Sequence, residues 1–124
     1  MPETKKDKLL GLLKGLSAIG DIEGSAIVTR DGLLIASDLP RDVDADTFAA
    51  MSATMLGAAE TAVGELKRGV VERVIAEGKQ TKLIAKGAGS SAVLVSMVRA
   101  DANLGLVLVE MGKASERIDK EMGA

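Results

Sequence analysis

The sequence predicts an α+β domain, an α/β sandwich in which a five-stranded, mostly antiparallel sheet is covered by helices on both faces. Helical periodicity occurs near both ends of the chain and once in its middle, and two hairpin signals separate these stretches. The predicted strands are apolar almost without interruption, which is typical of strands covered on both sides. The expected element order is α-β-β-α-β-β-β-α.

The length and composition indicate one ordinary globular domain, which we expect to span residues 1–124. Apolar residues make up 47% and charged residues 27% of the chain, and a domain of this size buries about two-thirds of its unfolded surface. A net charge of −2 and a single aromatic residue provide neither the basic surface nor the stacking groups that nucleic acid binding requires. We therefore expect no nucleic-acid partner.

Side chains that commonly carry catalysis are scarce in this chain. It has no histidine and no cysteine, which removes thiol nucleophiles, the usual soft metal sites and the one side chain that titrates near neutral pH. Asp101 and Glu110 could be paired as acid and base, but nothing in the sequence places them in one cleft. We expect no enzymatic activity, no cofactor and no metal. No apolar run approaches the ~20 residues of a membrane span, and the lack of cysteine favours a cytoplasmic protein.

The first half of the chain is predicted to contain a helix, a hairpin and a second helix. Leucines at helical spacing define a helix over residues 4–19, with Thr4 and Asp7 resembling a capping box. Asp31-Gly32 between two apolar runs, residues 23–30 and 33–37, predicts a hairpin whose two turn residues both have positive φ.

The second helix is predicted from an Asp44 N-cap to about Lys67. Asp42, Asp44 and Asp46 have the spacing of a calcium loop. However, the glycine and glutamate that such a loop needs at its sixth and twelfth positions are missing.

The central helix is unusual because it lacks charge. Glu60 is the only charged residue between Thr47 and Gly64, whereas a surface helix normally shows a wide charged face. One stripe contains Phe48, Met51, Met55, Ala59, Ala62, Val63 and Leu66, and the opposite side contains Ala49, Ala50, Ala53, Gly57, Thr61 and Gly64. We expect the small-residue side to be the outer face and to meet a second chain, because small residues let two helices approach closely.

The second half of the chain is predicted to form three strands and a helix. Strands over residues 70–77 and 79–86 pivot on Gly78-Lys79, and this hairpin has denser charges than the first one, which suits an exposed sheet edge. We expect the strand over residues 70–77 to pair with its own copy, because its apolar residues would otherwise promote aggregation at that edge. Residues 87–91, Gly-Ala-Gly-Ser-Ser, lack the Lys-Ser/Thr ending of a phosphate loop and precede a strand over residues 92–98, so we interpret them as a turn. Helical spacing from Asn103 predicts the last helix, with a strand followed by a helix as the alternative.

We therefore predict a dimer interface built from the central helix and the third strand. Its expected residues are Phe48, Ala49, Ala50, Met51, Ala53, Met55, Gly57, Glu60, Val70 and Val74.

Two stretches of the chain resemble the Roadblock (dynein light chain) family. The first is residues 26–37, Ala-Ile-Val-Thr-Arg-Asp-Gly-Leu-Leu-Ile-Ala-Ser, with an acidic lead into residues 48–60, and the second is residues 103–118. The resemblance runs over about residues 5–120. It implies a homodimer or heterodimer in which the central helices pack together and the third strands pair edge to edge. It also implies association with Ras-like small GTPases, which prokaryotic members activate or scaffold without a catalytic centre of their own.

The sequence thus indicates a cytoplasmic, non-catalytic homodimer that binds a small Ras-like GTPase and modulates its nucleotide cycle or its position. The dimer follows from the uncharged helix, whereas the GTPase follows from the resemblance alone. One alternative is a structural subunit of a larger complex with no effect on GTP turnover. Another is a small-molecule sensor, which is disfavoured because a chain without His, Tyr or Trp has few side chains for a specific polar pocket.

Overall fold

The computed structural model describes residues 2–123 and confirms the predicted fold class and element order. Its elements are α1 (Lys5–Ser17), β1 (Ile22–Thr29), β2 (Leu34–Asp38), α2 (Ala45–Glu65), β3 (Val74–Glu77), β4 (Thr81–Ala88), β5 (Ala92–Arg99) and α3 (Leu104–Gly123). Every strand pair is antiparallel, and the strand order is β2-β1-β5-β4-β3. The sheet edges are therefore β2 and β3.

The helices cover both faces of the sheet, which divides the core into two clusters. On one face α1 and α3 bury an aliphatic cluster that includes Leu9, Leu13 and Met111. On the other face α2 packs alone on a smaller cluster that includes Val28 and Leu56. Since each strand contributes to both clusters in turn, the near-continuous apolarity of β1 and β5 follows from this double coverage.

The helix starts lie where the capping residues predict them. The Thr4 hydroxyl accepts a hydrogen bond from the Asp7 N–H while the Asp7 carboxylate accepts one from the Thr4 N–H, which forms the predicted capping box. Asp44 accepts from the Thr47 N–H at 3.1 Å, and Asn103 accepts from the Leu106 N–H at 3.2 Å. From there α3 continues without interruption through Gly112, so the strand-plus-helix alternative is wrong.

The β1–β2 turn differs from the expected hairpin. Gly32 has φ +92°, but Asp31 has a negative φ, since Lys67 is the only non-glycine residue with a positive φ among residues 2–123. The Gly32 N–H donates to the Thr29 carbonyl at 3.0 Å, and the Thr29 N–H donates to the Leu33 carbonyl at 2.8 Å. The loop therefore has three residues, and only its last one needs the conformation that glycine adopts freely. A Cβ at Gly32 would also lie 3.2 Å from the Ala50 Cα.

Strand β3 is shorter than predicted, because it begins at Val74 instead of Val70. Its register runs from Val74 opposite Ala85 to Glu77 opposite Lys82, while β4 continues to Ala88 in its pairing with β5. Residues 70–73 have the apolarity of a strand but diverge from β4, and Val71 packs against the α2 cluster instead. A strand needs a hydrogen-bonding partner, and this stretch has none within the described part of the chain.

The centre of the sheet contains one buried polar pair, which gives a stability test. The Ser25 and Ser96 hydroxyls lie 2.8 Å apart, and both residues are fully buried. We expect Ser96→Ala to lower the free energy of unfolding by about 1–3 kcal/mol, because the Ser25 hydroxyl is left without a partner. The double variant Ser25→Ala/Ser96→Ala should be close to wild type in urea denaturation. A double variant as unstable as the sum of the single variants would contradict this expectation.

Candidate interaction surface

Helix α2 presents an exposed face without charge, which we call the outer face of α2. Its exposed residues are Thr47, Met51, Thr54, Ala58, Thr61 and Ala62. Met51 lies in the middle of this face and is 60% exposed, which is unusual for a long apolar side chain. The single charge between residues 47 and 64, Glu60, follows the stripe of Ala49, Ala53 and Leu56 on the opposite side of the helix. The predicted uncharged surface therefore exists in the folded chain.

The prediction of which side of α2 faces outward was wrong in part. Ala49 is fully buried and Ala53 is 6% exposed, and both pack with Leu56 against the sheet. Small residues at these positions bring the helix backbone close to the strands. The bulkier Met51, an expected interface residue on the stripe opposite the small-residue side, lies on the outer face. Ala49 and Ala53 therefore cannot contact a second chain while α2 stays on the sheet.

The other predicted interface residues are partly exposed and partly packed against the sheet. Gly57 is exposed and Val70 is 89% exposed, whereas Ala50 is half-buried beside Gly32. Phe48, Met55 and Val74 are half-buried and pack against the α2 cluster. Leu66 is 63% exposed and directly follows α2, so apolar exposure continues from Met51 past the helix end toward β3.

Sequence reasoning missed Thr54 and Ala58, which lie at the centre of the outer face. Leu56 could have indicated the buried side of the helix, because it is the only large residue on the stripe that contains Ala49, Ser52 and Ala53. That stripe has the spacing of a core-facing helix side, and the residues opposite it are the exposed ones.

Arg30 ties α2 to the turns at one end of the sheet. Its Nη1 donates to both carboxylate oxygens of Glu60, at 2.8 and 2.9 Å, and its Nη2 donates to the Gly89 carbonyl at 3.1 Å. One side chain thus joins the β1–β2 turn, the C-terminal third of α2 and the β4–β5 turn. The contact accounts for the only charged side chain on the central part of α2, because Glu60 serves this internal pair.

This pair should contribute measurably to stability although its side chains are 32% and 40% exposed. We expect Arg30→Gln and Glu60→Gln each to lower the free energy of unfolding by about 1 kcal/mol, with clear coupling in a double-mutant cycle. Urea denaturation of the wild type, the two single variants and the double variant measures the loss of stability and the coupling energy. The Arg99–Asp101 pair is the comparison, because its side chains are 53% and 73% exposed and we expect its coupling to be smaller. Additive effects of the Arg30 and Glu60 changes would contradict the expectation.

The carboxylates considered as an acid–base pair are each engaged elsewhere. The hydrogen bond from Arg99, together with its charge, lowers the pKa of Asp101, and Glu110 lies 3.6 Å from Lys113 on the same helix. Residues 89–91 form a turn, which is shorter than the expected turn over residues 87–91 because Gly87 and Ala88 belong to β4. Across residues 2–123 no cluster of acidic side chains is arranged to hold a metal ion. The feature left to explain is the outer face of α2.

Comparison with known proteins identifies the family of this fold. The Roadblock/LC7 domain matches residues 8–97. The chain belongs to the Roadblock/LC7 family. Among the relatives of this Roadblock/LC7 chain are two uncharacterized proteins of Methanocaldococcus jannaschii, MJ1340 and MJ0310, which are 39% and 38% identical to it over 107 residues. In both cases the match covers 86% of this chain and 93% of the relative.

Solved Roadblock/LC7 structures have the same fold. Myxococcus xanthus MglB superposes with a TM-score of 0.88 at 23% identity, covering 99% of this chain and 93% of that one. The gliding protein MglB of Thermus thermophilus gives 0.87 at 20% identity, covering 98% and 93%. A Roadblock/LC7 domain from Streptomyces avermitilis gives 0.87 at 20% identity, covering 93% and 98%. Within the described residues, no helix of this Roadblock/LC7 chain has the length and apolarity of a membrane span.

Proposed function

We propose that this Roadblock/LC7 chain is a non-catalytic homodimer that regulates or scaffolds a small Ras-like GTPase. The observation that carries the dimer is the outer face of α2, which is exposed in the single chain and free of charge across residues 47–64 apart from Glu60. A face of this kind is typical of a surface that a second chain covers. The GTPase follows from the family to which the chain belongs and from the resemblance described above.

The proposed interface continues from α2 to the edge strand β3. Leu66 and Val70 are exposed next to the helix end, and β3 offers unpaired backbone groups on the side away from β4. Two copies related by a two-fold axis could then pair their β3 strands while their α2 helices contact each other. Such an arrangement covers the apolar residues and the free edge together.

Proline at the start of β3 tests the strand contribution. We expect Val74→Pro to raise the dimer dissociation constant about tenfold, because proline removes a backbone donor and is poorly tolerated in a paired strand. Analytical ultracentrifugation measures the constant, and far-UV circular dichroism checks that the variant remains folded. In the wild-type dimer, amide exchange at residues 74–77 should be slow. Fast exchange throughout these four residues would show that β3 is not paired between copies.

The proposed binding of a small GTPase is tested by loading purified Ras-like GTPases from the same organism with GTP and mixing them with the dimer. We expect one of them to bind, and single-turnover hydrolysis and nucleotide release then separate a regulator from a scaffold. The dimer alone should neither bind nor hydrolyse GTP. If no small GTPase binds, the structural subunit without effect on GTP turnover becomes the better interpretation. Tight GTP binding by the dimer alone would contradict the proposal and reopen residues 87–91 as a phosphate site.

A further inference from the structure

Strand β2 forms the sheet edge opposite β3, and it is open on its outer side. It pairs only with β1, so among residues 2–123 no strand satisfies the backbone groups that point away from β1. An edge of this kind is a template for another extended chain. The proposed dimer uses β3 and the outer face of α2, and it leaves this edge free.

A groove runs along the β2 edge, between the strand and the first turns of α1. Its volume is about 250 Å³, and its lining residues are Lys6, Leu10, Leu34, Ile35, Ala36 and Ser37. The walls are mostly aliphatic, and Lys6 is the only charged residue among them. A strand added beside β2 would direct every second side chain toward this groove, because side chains alternate between the faces of a sheet.

The usual protection of an edge strand is weak in β2. Residues 33–37 carry no charge, and Leu33 is 68% exposed. The one acidic residue, Asp38, accepts a hydrogen bond from the Ser17 hydroxyl at 2.7 Å and is held against α1. A bulge where the register shifts, opposite Ile27 and Val28, is the remaining protective feature. Natural edges normally display lysine, proline or inward-pointing charge to prevent pairing.

We propose that the β2 edge binds an extended segment of a partner protein by strand addition, and that this segment carries an apolar residue with an acidic residue two positions before or after it. Its backbone pairs with β2, its apolar side chain enters the groove against Leu10 and Ile35, and its acidic side chain lies beside Lys6. In this mode of recognition, main-chain hydrogen bonds give affinity and the pockets for alternate side chains give specificity.

Charge distinguishes this occupant from a second copy of the chain. The start of α1 contains Lys5, Lys6 and Lys8 against one acidic residue, Asp7. Two β2 edges paired around a two-fold axis would bring two such helix ends to the same side of the joined sheet, where their positive charges repel. An acidic segment meets attraction at the same place.

The experiment uses the full chain and a small panel of fluorescein-labelled seven-residue peptides. Each has an alternating threonine–valine frame, with alanine, leucine or phenylalanine at the centre and aspartate or lysine two positions away. We expect saturable binding by fluorescence anisotropy with dissociation constants below about 1 mM, tightest for a large apolar centre with aspartate. On binding, amide exchange should slow within residues 33–38 and remain unchanged at residues 74–77.

Lys6→Glu and its matched control Lys14→Glu test whether the charged residue of the peptide lies beside Lys6. Both lysines are exposed residues of α1 and the change is the same, but Lys14 does not line the groove. We expect Lys6→Glu to weaken the aspartate peptide about fivefold and to strengthen the lysine peptide, whereas Lys14→Glu changes neither. Ile35→Lys should abolish binding of all peptides, because a charge then lies on the edge itself.

Three results would overturn the inference. The first is that no peptide in the panel slows exchange within residues 33–38. The second is an equal effect of Lys6→Glu and Lys14→Glu on peptide affinity. The third is slow exchange of β2 in the wild-type chain without peptide, lost together with self-association in Ile35→Lys, which would show that a second copy occupies the edge. None of these results depends on GTPase binding, so the proposed function can fail or hold separately.

Discussion

Ala58→Lys should separate the proposed dimer into folded single chains. Ala58 lies at the centre of the outer face of α2, where it is exposed in the single chain. In a two-fold dimer the substitution occurs twice in one interface, and each lysine would lose its water on association. We expect the dissociation constant to rise at least about 100-fold, which corresponds to about 2.7 kcal/mol. The stability of the single chain should be unchanged.

Sedimentation equilibrium over a range of concentrations measures this effect. Ala18→Lys is the matched control, because Ala18 is an exposed alanine at the end of α1 on the other side of the sheet. It should remain dimeric. If Ala58→Lys remains as dimeric as the control, α2 does not form the interface and the proposed homodimer is wrong in its main contact.

Ala53→Lys should unfold the chain instead of dissociating it. Ala53 lies on the same helix, but it is 6% exposed and packs between α2 and the sheet with Val28 and Leu56. A lysine there must either bury its charge or push the helix off the strands. We expect a loss of about 3–5 kcal/mol in the free energy of unfolding.

Thermal and urea denaturation, carried out at a concentration where Ala58→Lys is a single chain, compare the two variants directly. The chemical change is identical, so the difference reports only the position on the helix. Ala53→Gly is a milder control, which creates a small cavity and should cost about 1–2 kcal/mol. Wild-type stability of Ala53→Lys together with loss of the dimer would mean that Ala53 faces outward.

The helix starts and the buried strands could be predicted from the sequence because their causes are local. Thr4, Asp44 and Asn103 each satisfy the first N–H groups of the helix that follows, and that interaction depends on residues three positions apart. The runs in β1 and β5 are long enough to identify strands covered on both sides. These features require no knowledge of which elements come together.

The orientation of α2 could not be predicted in the same way. Both sides of this helix lack charge, so the contrast that usually identifies the buried face is missing. The sheet selects the side with Ala49, Ala53 and Leu56 because small residues permit close packing, and this depends on the shape of the facing strands. The pair between Arg30 and Glu60 was also out of reach, since the two residues are 30 positions apart and meet only in the folded chain.

The length of β3 shows a related limit. Residues 70–73 have strand propensity, but a strand forms only where it has a partner. Strand β3 pairs with β4 only from Val74, opposite Ala85, to Glu77, opposite Lys82. The expected strand start at Val70 was therefore wrong for the single chain. Val70 of this stretch remains 89% exposed beside the proposed interface.

The placement of β2 and β3 at opposite edges affects how a dimer would hold its partners. Joining two copies through β3 yields one ten-stranded sheet whose two outermost strands are both β2. Nine strand spacings of about 4.8 Å place these strands roughly 43 Å apart. A partner with two suitable segments on a linker of matching reach would engage both ends, and the second binding event would proceed at a high effective concentration. Two weak contacts would then give one tight bivalent complex, and this gain in affinity would be lost when the dimer dissociates.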